Sequence, residues 1–158
     1  MAAFQITEAL SAPEIAAVAA LFDAYAASLP IELGYQDFAT ERATLPGKYV
    51  RPGGVLLLAR DAAGSPLGCV ALRALGGGRA EIKRLYVAPA ARGLGLGRAL
   101  LAGVTQAAIE LGHGALCLDT LPFMAEAQAL YMRAGFLPIP PYGESPVPGT
   151  AFLGKELP

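Results

Sequence analysis

A glycine-rich stretch in the middle of the chain has the composition of an anion-binding site. Arg92 is followed by Gly93, Gly95 and Gly97, and a helical pattern of apolar residues begins at once. No Ser, Thr, Asp or Asn stands at the start of this predicted helix, so its first backbone amides lack a side-chain cap. Free amides, the helix dipole and a guanidinium group attract anions, and glycines let an extended diphosphate approach the backbone. The pattern therefore predicts diphosphate binding.

Two common glycine loops do not fit this stretch. In the dinucleotide fingerprint GxGxxG, the third glycine would fall on Arg98 or on Leu100, depending on where the count begins. The phosphate loop GxxxxGKS or GxxxxGKT does not occur in the chain. A plain glycine turn before a packed helix remains an alternative at this point.

The elements around the glycine stretch predict a mixed sheet. A strand at 81–87 precedes the stretch and stops at Pro89, which cannot donate to a ladder. Strand, helix and strand in succession imply a right-handed crossover with parallel pairing. Simple alternation along 81–87 would put Glu81 and Lys83 on one face and Arg84 and Tyr86 on the other. The predicted strands are 4–8, 55–59, 67–75, 79–88, 115–119, 136–139 and 150–157, and the predicted helices are 11–28, a short one near 36–45, one after Gly97, and 124–134.

Composition favours a cytoplasmic protein with a small partner. The chain has 158 residues, of which 54% are hydrophobic, and this suits one domain with a substantial core. A net charge of −1 argues against a nucleic-acid partner. No apolar run approaches the ~18 residues of a membrane helix, and the beginning of the chain lacks a signal-like core. Cys69 and Cys117 have no companions for a zinc site, so we expect buried free thiols and no metal.

The stretch from about Glu81 to Phe136 resembles the GCN5-related N-acetyltransferase (GNAT) family. The acyl-CoA signature of that family is Arg or Gln, two residues, Gly, one residue, then Gly or Ala, as in Arg92, Gly95 and Gly97. A second match follows at the appropriate separation, in Ala127, Leu130, Tyr131, Gly135 and Phe136. Outside this stretch the resemblance is topological. It implies an α/β fold, with residues 1–158 as one GNAT domain whose mixed central sheet is flanked by helices.

The resemblance implies acetyl-CoA as acyl donor. In the family, the strand before the loop splays from the next strand, and the pantetheine arm enters the gap. Met124 departs from the family, since many members have a cofactor-binding asparagine there. The residues expected to hold the cofactor are Leu85, Tyr86, Val87, Arg92, Gly93, Leu94, Gly95, Leu96, Gly97, Arg98 and Ala127.

The resemblance also suggests which residues move protons. Tyr131 is the predicted general acid for the departing thiolate, because a phenol near pKa ~10 suits a thiol near ~8.5; the alternative is an ordinary packed tyrosine. Glu81, acting through water, is the predicted base, and the alternative is a surface carboxylate paired with Arg79 or Lys83. The single histidine, His113, is expected to be a solvated loop residue.

The acceptor is predicted to enter opposite the cofactor, between residues 29–38 and a closing loop around Tyr142 and Glu144. Aromatic and acidic residues in both segments suit a cationic amine with an apolar part, although the acids near Asp37 and Glu41 also fit a solvated helical face. The predicted activity is direct acetyl transfer to an amine. A non-catalytic acyl-CoA sensor is the alternative, and a homodimer is left open.

Overall fold

A computed structural model describes residues 4–158 as one seven-stranded sheet covered by helices on both faces. The strands lie in the order β1-β2-β3-β4-β5-β7-β6. The strands are β1 (Gln5–Glu8), β2 (Val55–Arg60), β3 (Pro66–Gly76), β4 (Arg79–Val87), β5 (Ala115–Thr120), β6 (Leu137–Pro138) and β7 (Ala151–Glu156). The α-helices are α1 (Ala12–Ala27), α2 (Phe38–Ala43), α3 (Leu96–Glu110) and α4 (Ala125–Arg133).

The predicted mixed sheet is confirmed. Strands β1 to β4 pair antiparallel, and β2 is buried on both faces from Val55 to Ala59, as its unbroken apolar run predicts. Helix α3 then carries the chain across, so that β5 pairs parallel to β4. Strand β7 lies antiparallel between β5 and β6.

Helix α1 begins where its local sequence predicts. Ser11 Oγ accepts from the Glu14 amide at 3.3 Å, and Glu14 Oε1 accepts from the Ser11 amide at 3.0 Å, which completes a capping box. Hydrogen bonds from Ser11 and Leu10 hold the pKa of Glu14 below its usual range. The helix packs its buried side of Val18 and Phe22 against the sheet.

The sheet separates two hydrophobic cores. The core on the α3 side includes Leu96, Leu100 and Val104, with Phe136 fully buried beside them. The core on the α1 side is centred on Phe22. Each face of the sheet thus has its own apolar layer, and a ligand site can open on either face without dividing a core.

Several local predictions need adjustment or are confirmed. The helix predicted near 36–45 is a 3-10 turn, Gly34–Gln36, followed by α2, because Asp37 adopts a left-handed conformation at φ 55° between them. His113 lies in the loop after α3 as predicted, but it is only partly exposed, and its Nε2 lies 2.9 Å from the Gly53 carbonyl oxygen. Both cysteines are free and buried, as predicted.

Within residues 4–158, no helix combines the length and apolar character that a membrane span requires.

Candidate active site

A long cleft lies where the end of β4, the glycine turn, α3, α4 and the end of α1 meet. It has a volume of about 1530 Å³. The end of β4 forms one wall, and α4 forms the opposite wall. The cleft reaches the carboxyl end of α1 at Tyr25 and Leu29. We call this space the cofactor cleft.

The glycine turn leaves backbone amides uncovered at one end of the cleft. Gly93 and Gly95 have φ values of 81° and 78°, in the left-handed region that favours glycine. Gly95 is the N-cap of α3, and no side chain caps the helix, as predicted. A Cβ atom at either position would meet nothing within 4 Å, so the space above the turn is free. This end of the cleft fits a diphosphate, whose oxygens would accept from the uncapped amides.

Arg92 lies beside the same turn. Its Nε donates to the Val87 carbonyl oxygen at 3.1 Å, which fixes the guanidinium against the end of β4. The residue is otherwise exposed, and it lines the cleft. Arg92 can therefore face an anion at the turn without moving its backbone.

The cleft gathers the residues that the sequence predicts for cofactor binding, with one exception. Leu94 points to solvent with 57% of its surface exposed and does not line the cleft. Gly97 is the second residue of α3. A Cβ atom there would sit 3.5 Å from Leu130 Cδ2 and 3.8 Å from Val87 Cγ2. The predicted residues that line the cleft are Leu85, Tyr86, Val87, Arg92, Gly93, Gly95, Leu96, Gly97, Arg98 and Ala127.

Strands β4 and β5 separate beside the cleft. They pair from Arg79 with Ala115 to Glu81 with Cys117, and β4 continues to Val87 without a further partner in β5. Backbone groups of β4 beyond Glu81 are thus free of a parallel ladder. The gap fits the splayed strands that the resemblance implies.

A bulge in β4 corrects the predicted alternation of its side chains. Arg84 has φ 60°, and Arg84 and Leu85 together lie opposite the single residue Val70. The extra residue turns Arg84 and Tyr86 toward the α1 side, the side on which Glu81 and Lys83 already lie. The prediction of opposite faces for these two pairs is wrong, because it assumed an unbroken pleat.

Arg84 ties the bulge to the segment after α1. Its side chain is buried, and its Nε donates to Glu41 Oε2 at 2.8 Å and its Nη1 to Gln36 Oε1 at 2.6 Å. The guanidinium also lies 5.2 Å from the ring centre of Phe38. The pKa of Arg84 is raised even though burial lowers it, because Glu41 accepts its hydrogen bonds. Arg84 is therefore a positioning residue between the sheet and the 3-10 turn.

A second pocket, of about 560 Å³, opens on the α1 side of the sheet. The 3-10 turn and α2 form one wall, and the loop at Tyr142 and Glu144 forms another. Residues 35–37 and the loop at Tyr142 and Glu144 belong to the two segments between which the sequence predicts acceptor entry. Asp37 is exposed, as a solvated face requires, whereas Glu41 is partly buried and hydrogen-bonded to Arg84. We call this space the acceptor pocket.

Glu81 lies in the acceptor pocket as a buried and hydrogen-bonded group. It is 3% exposed, its Oε1 accepts from Arg73 Nε at 2.8 Å, and its Oε2 accepts from the Tyr142 hydroxyl at 2.7 Å. The alternative, a surface carboxylate paired with Arg79 or Lys83, is wrong. Arg73 lies directly opposite Glu81 in the β3–β4 register, and cross-strand pairing favours opposite charges.

Tyr131 is the buried residue of α4. Its ring lies 5.7 Å from the ring of Phe136, and the Phe136 amide donates to the Tyr131 carbonyl oxygen at 3.1 Å. Every buried polar side-chain atom among the described residues has a hydrogen-bond partner. The Tyr131 hydroxyl has no such partner among these residues, so its oxygen is not fully buried and reaches solvent-accessible space. Burial raises the pKa of Tyr131, and the neighbouring Tyr25 and Asp119 raise it further. Tyr131 lines neither the cofactor cleft nor the acceptor pocket, although its neighbours Tyr25 and Asp119 line one space each.

Comparison with known proteins decides the family. Residues 18–136 match the family model described as the acetyltransferase (GNAT) family. An uncharacterized N-acetyltransferase of Schizosaccharomyces pombe is 38% identical over 138 residues, which cover 87% of this chain and 85% of that protein. The chain belongs to the GNAT acetyltransferase family. Membership confirms the predicted fold class and the predicted enzyme class, and it supports acyl-CoA-dependent acetyl transfer as the general activity.

Solved GNAT structures have the same fold. An acetyltransferase of the GNAT family from Staphylococcus aureus superposes with a TM-score of 0.80 at 20% identity, over 99% of this chain and 100% of that chain. The protein yncA of Salmonella typhimurium, solved with its cofactor acetyl-CoA, superposes with a TM-score of 0.74 at 19% identity, over 99% and 95% of the two chains.

The GNAT fold brings three further residues into the site that sequence reasoning missed. The sequence places Arg84 on a strand face without a role, although this residue holds the acceptor-side segment. Lys83 and Asp119 line the acceptor pocket from adjacent strands. Each of these two residues lies two positions after the last β4–β5 pair, Glu81 with Cys117. Finding them together requires the register of β4 against β5, which the sequence alone does not give.

Proposed function

We propose that this GNAT protein transfers the acetyl group of acetyl-CoA directly to the amine of a small molecule or peptide. The observation that carries the proposal is the edge of β4 left unpaired by β5 beyond Glu81, with an uncapped glycine turn after this strand and a polar pocket lined by its Glu81 and Lys83. The predicted cytoplasmic location and the homodimer remain predictions.

The thioester of acetyl-CoA supplies an activated acetyl group. The glycine turn and Arg92 would bind the diphosphate, and the free backbone of Leu85 and Val87 would orient the pantetheine arm beside the gap. The Val87 amide could then donate to the thioester oxygen as negative charge develops there. The acetyl carbon would thus face the acceptor pocket.

Transfer forms a C–N bond and breaks the C–S bond. The acceptor ammonium first loses a proton, and Glu81 is the proposed base, acting through water because both its oxygens already accept hydrogen bonds. The nitrogen loses a second proton as the amide forms, and Tyr131 donates one to the departing sulfur. Tyr131 regains its proton from solvent, so the net reaction releases one proton.

Direct transfer is favoured by the position of the two thiols. Cys69 and Cys117 are each at most 1% exposed, and burial raises the pKa of both thiols. Neither cysteine lines the cofactor cleft or the acceptor pocket. A covalent acetyl-cysteine intermediate therefore has no suitable nucleophile among residues 4–158.

Thiol release in the presence of amines tests the proposed function. We expect acetyl-CoA to bind and thiol to appear only when an acceptor amine is added, with mass spectrometry locating the acetyl group on nitrogen. The sensor alternative predicts binding without amine-dependent release. The proposed proton donor, Tyr131, favours the enzyme over the sensor, because a sensor needs no group that protonates a leaving thiolate.

Replacing Arg92 by Ala should weaken acetyl-CoA binding by about 1 to 3 kcal/mol, the scale of a lost hydrogen bond to a charged group. Isothermal titration calorimetry measures the change. Arg92→Lys keeps the charge but loses the bond to the Val87 carbonyl oxygen, so it should bind with intermediate affinity. An unchanged dissociation constant in the Ala variant would remove the charge contact, although the amides of the turn could still bind the diphosphate.

Replacing Tyr142 by Phe should change acceptor selectivity more than cofactor affinity. The ring keeps its edge-to-face contact with Phe152 at 5.4 Å, and only the bond to Glu81 is lost. A hydrogen bond to a charged group contributes about 1.5 to 3 kcal/mol, which corresponds to about a 10- to 150-fold change in relative kcat/KM between amines. Identical selectivity profiles before and after the substitution would contradict the acceptor assignment of this pocket.

A further inference from the structure

Most of the buried charge in the acceptor pocket is neutralised within the protein. Glu81 pairs with Arg73, and Glu41 pairs with Arg84, each at 2.8 Å. The acidic residues that suggested a cationic acceptor are therefore largely satisfied already. The charges that remain available to a ligand must be sought elsewhere on the pocket wall.

Lys83 and Asp119 are two partly buried groups of opposite charge on that wall. Neither forms an ion pair with any other residue that the structure describes. Burial lowers the pKa of Lys83 and raises the pKa of Asp119, so each charged form is poorly solvated. Each group would gain from a counter-charge that a ligand brings.

The strand register places these two groups level with each other. The last paired residues of β4 and β5 are Glu81 and Cys117, and two residues onward on each strand are Lys83 and Asp119. A step of two returns a side chain to the same face of a strand, so both point toward the acceptor pocket. No ion pair joins the two groups, although the charge of each partly offsets the effect of burial on the pKa of the other.

We propose that the acceptor is a small amino acid, whose carboxylate binds Lys83 and whose amino group lies at Asp119. This inference rests on the proposed function, because it places the amine at the gap through which the acetyl group arrives. A zwitterion supplies both missing counter-charges in one molecule, whereas a simple amine would leave the Lys83 ammonium without a partner. Lys83 is then a specificity-determining residue of the acceptor pocket.

A panel of paired acceptors tests the inference on the wild-type enzyme. The panel holds α-, β- and γ-amino acids, each beside its decarboxylated amine, so that members of a pair differ only in the carboxylate. Thiol release gives kcat/KM, and calorimetry on the coenzyme A-loaded enzyme gives affinity. We expect one or more amino acids to exceed their decarboxylated partners by about tenfold or more in both measurements, as for a hydrogen bond between charged groups.

Two matched lysine variants locate the preference. Lys83→Met keeps the length of the side chain and removes its charge, and it should bring the ratio within each pair close to one. Lys48→Met makes the same change at an exposed lysine on the rim of the pocket and should keep the wild-type ratio. Asp119→Asn should weaken both members of a pair, because both carry the amine.

The outcomes separate this inference from the proposed function. Release of thiol with equal rates for both members of every pair overturns the amino-acid acceptor while acetyl transfer to amines stands. Binding of amino acids that depends on Lys83, without thiol release from any acceptor, keeps the pocket assignment and overturns the transfer. Absence of binding by every amino acid of the panel overturns the inference. If Lys83→Met does not fold, the wild-type ratios alone decide.

Discussion

Replacing Tyr131 by Phe should lower turnover by roughly 10² to 10⁴, the usual scale for a positioned general acid. The substitution keeps the ring and its contact with Phe136 and removes only the hydroxyl group. The free energy of unfolding and the dissociation constant of acetyl-CoA should therefore hardly change. Single-turnover kinetics on the two proteins measure the chemical step directly.

The acid role also predicts a pH dependence. Burial raises the pKa of Tyr131 above the ordinary phenol value of ~10, so the proton is retained throughout the neutral and mildly alkaline range. Turnover should not fall through loss of this proton below pH ~10. In Tyr131→Phe, the residual turnover should show no decrease at high pH that comes from deprotonation of residue 131.

A neighbouring phenol provides the control. Tyr25 lines the cofactor cleft, and burial raises its pKa as well. Tyr25→Phe should leave turnover close to that of the wild type, because Tyr25 lies on α1 and its ring packs edge-on against Tyr86 at 6.0 Å. A large loss in Tyr25→Phe together with wild-type rates in Tyr131→Phe, where chemistry is rate-limiting, would transfer the acid role to Tyr25.

Local sequence rules predicted the parts of the fold that local physics determines. The capping box at Ser11 and Glu14 involves residues three apart, so its geometry follows from the helix start alone. The uncapped start of α3 at Gly95 could likewise be predicted, since only the residue types before the helix matter. The predicted cofactor side of the site depends mainly on such local features, so the sequence alone can propose its residues.

The acceptor side depends on contacts between residues that are distant in the chain. Arg84 adopts φ 60°, a conformation rare for residues other than glycine, while Glu41 and Gln36 hold its side chain from over forty positions away. No local pattern predicts such a bulge. The pairing of Glu81 with Arg73 was accessible in principle, because the glycine turn between β3 and β4 fixes their register. Without that cross-strand partner, the sequence alone is equally compatible with Glu81 as a surface group.

Replacing Gly95 by Val should reduce acetyl-CoA affinity by about 10²-fold or more, because the side chain would cover amides that the diphosphate needs. Two lost hydrogen bonds to a charged group account for a loss of that size. The φ of 78° at Gly95 adds a cost in stability of about 1 to 2 kcal/mol, since a side chain is strained in the left-handed region.

A glycine with the same backbone conformation separates strain from ligand contact. Gly64, in the turn between β2 and β3, has φ 88°, and a Cβ atom there, as at Gly95, would meet nothing within 4 Å. Gly64→Val should lose a similar free energy of unfolding in urea denaturation, yet bind acetyl-CoA like the wild type. Gly97→Ala adds a methyl group inside the cleft at a helical position without positive φ, and the family signature allows Ala there, so it should lower neither cofactor affinity nor stability. An undiminished affinity for acetyl-CoA in folded Gly95→Val would contradict the diphosphate site. Equal losses of acetyl-CoA affinity in Gly64→Val and Gly95→Val would attribute the effect to backbone strain.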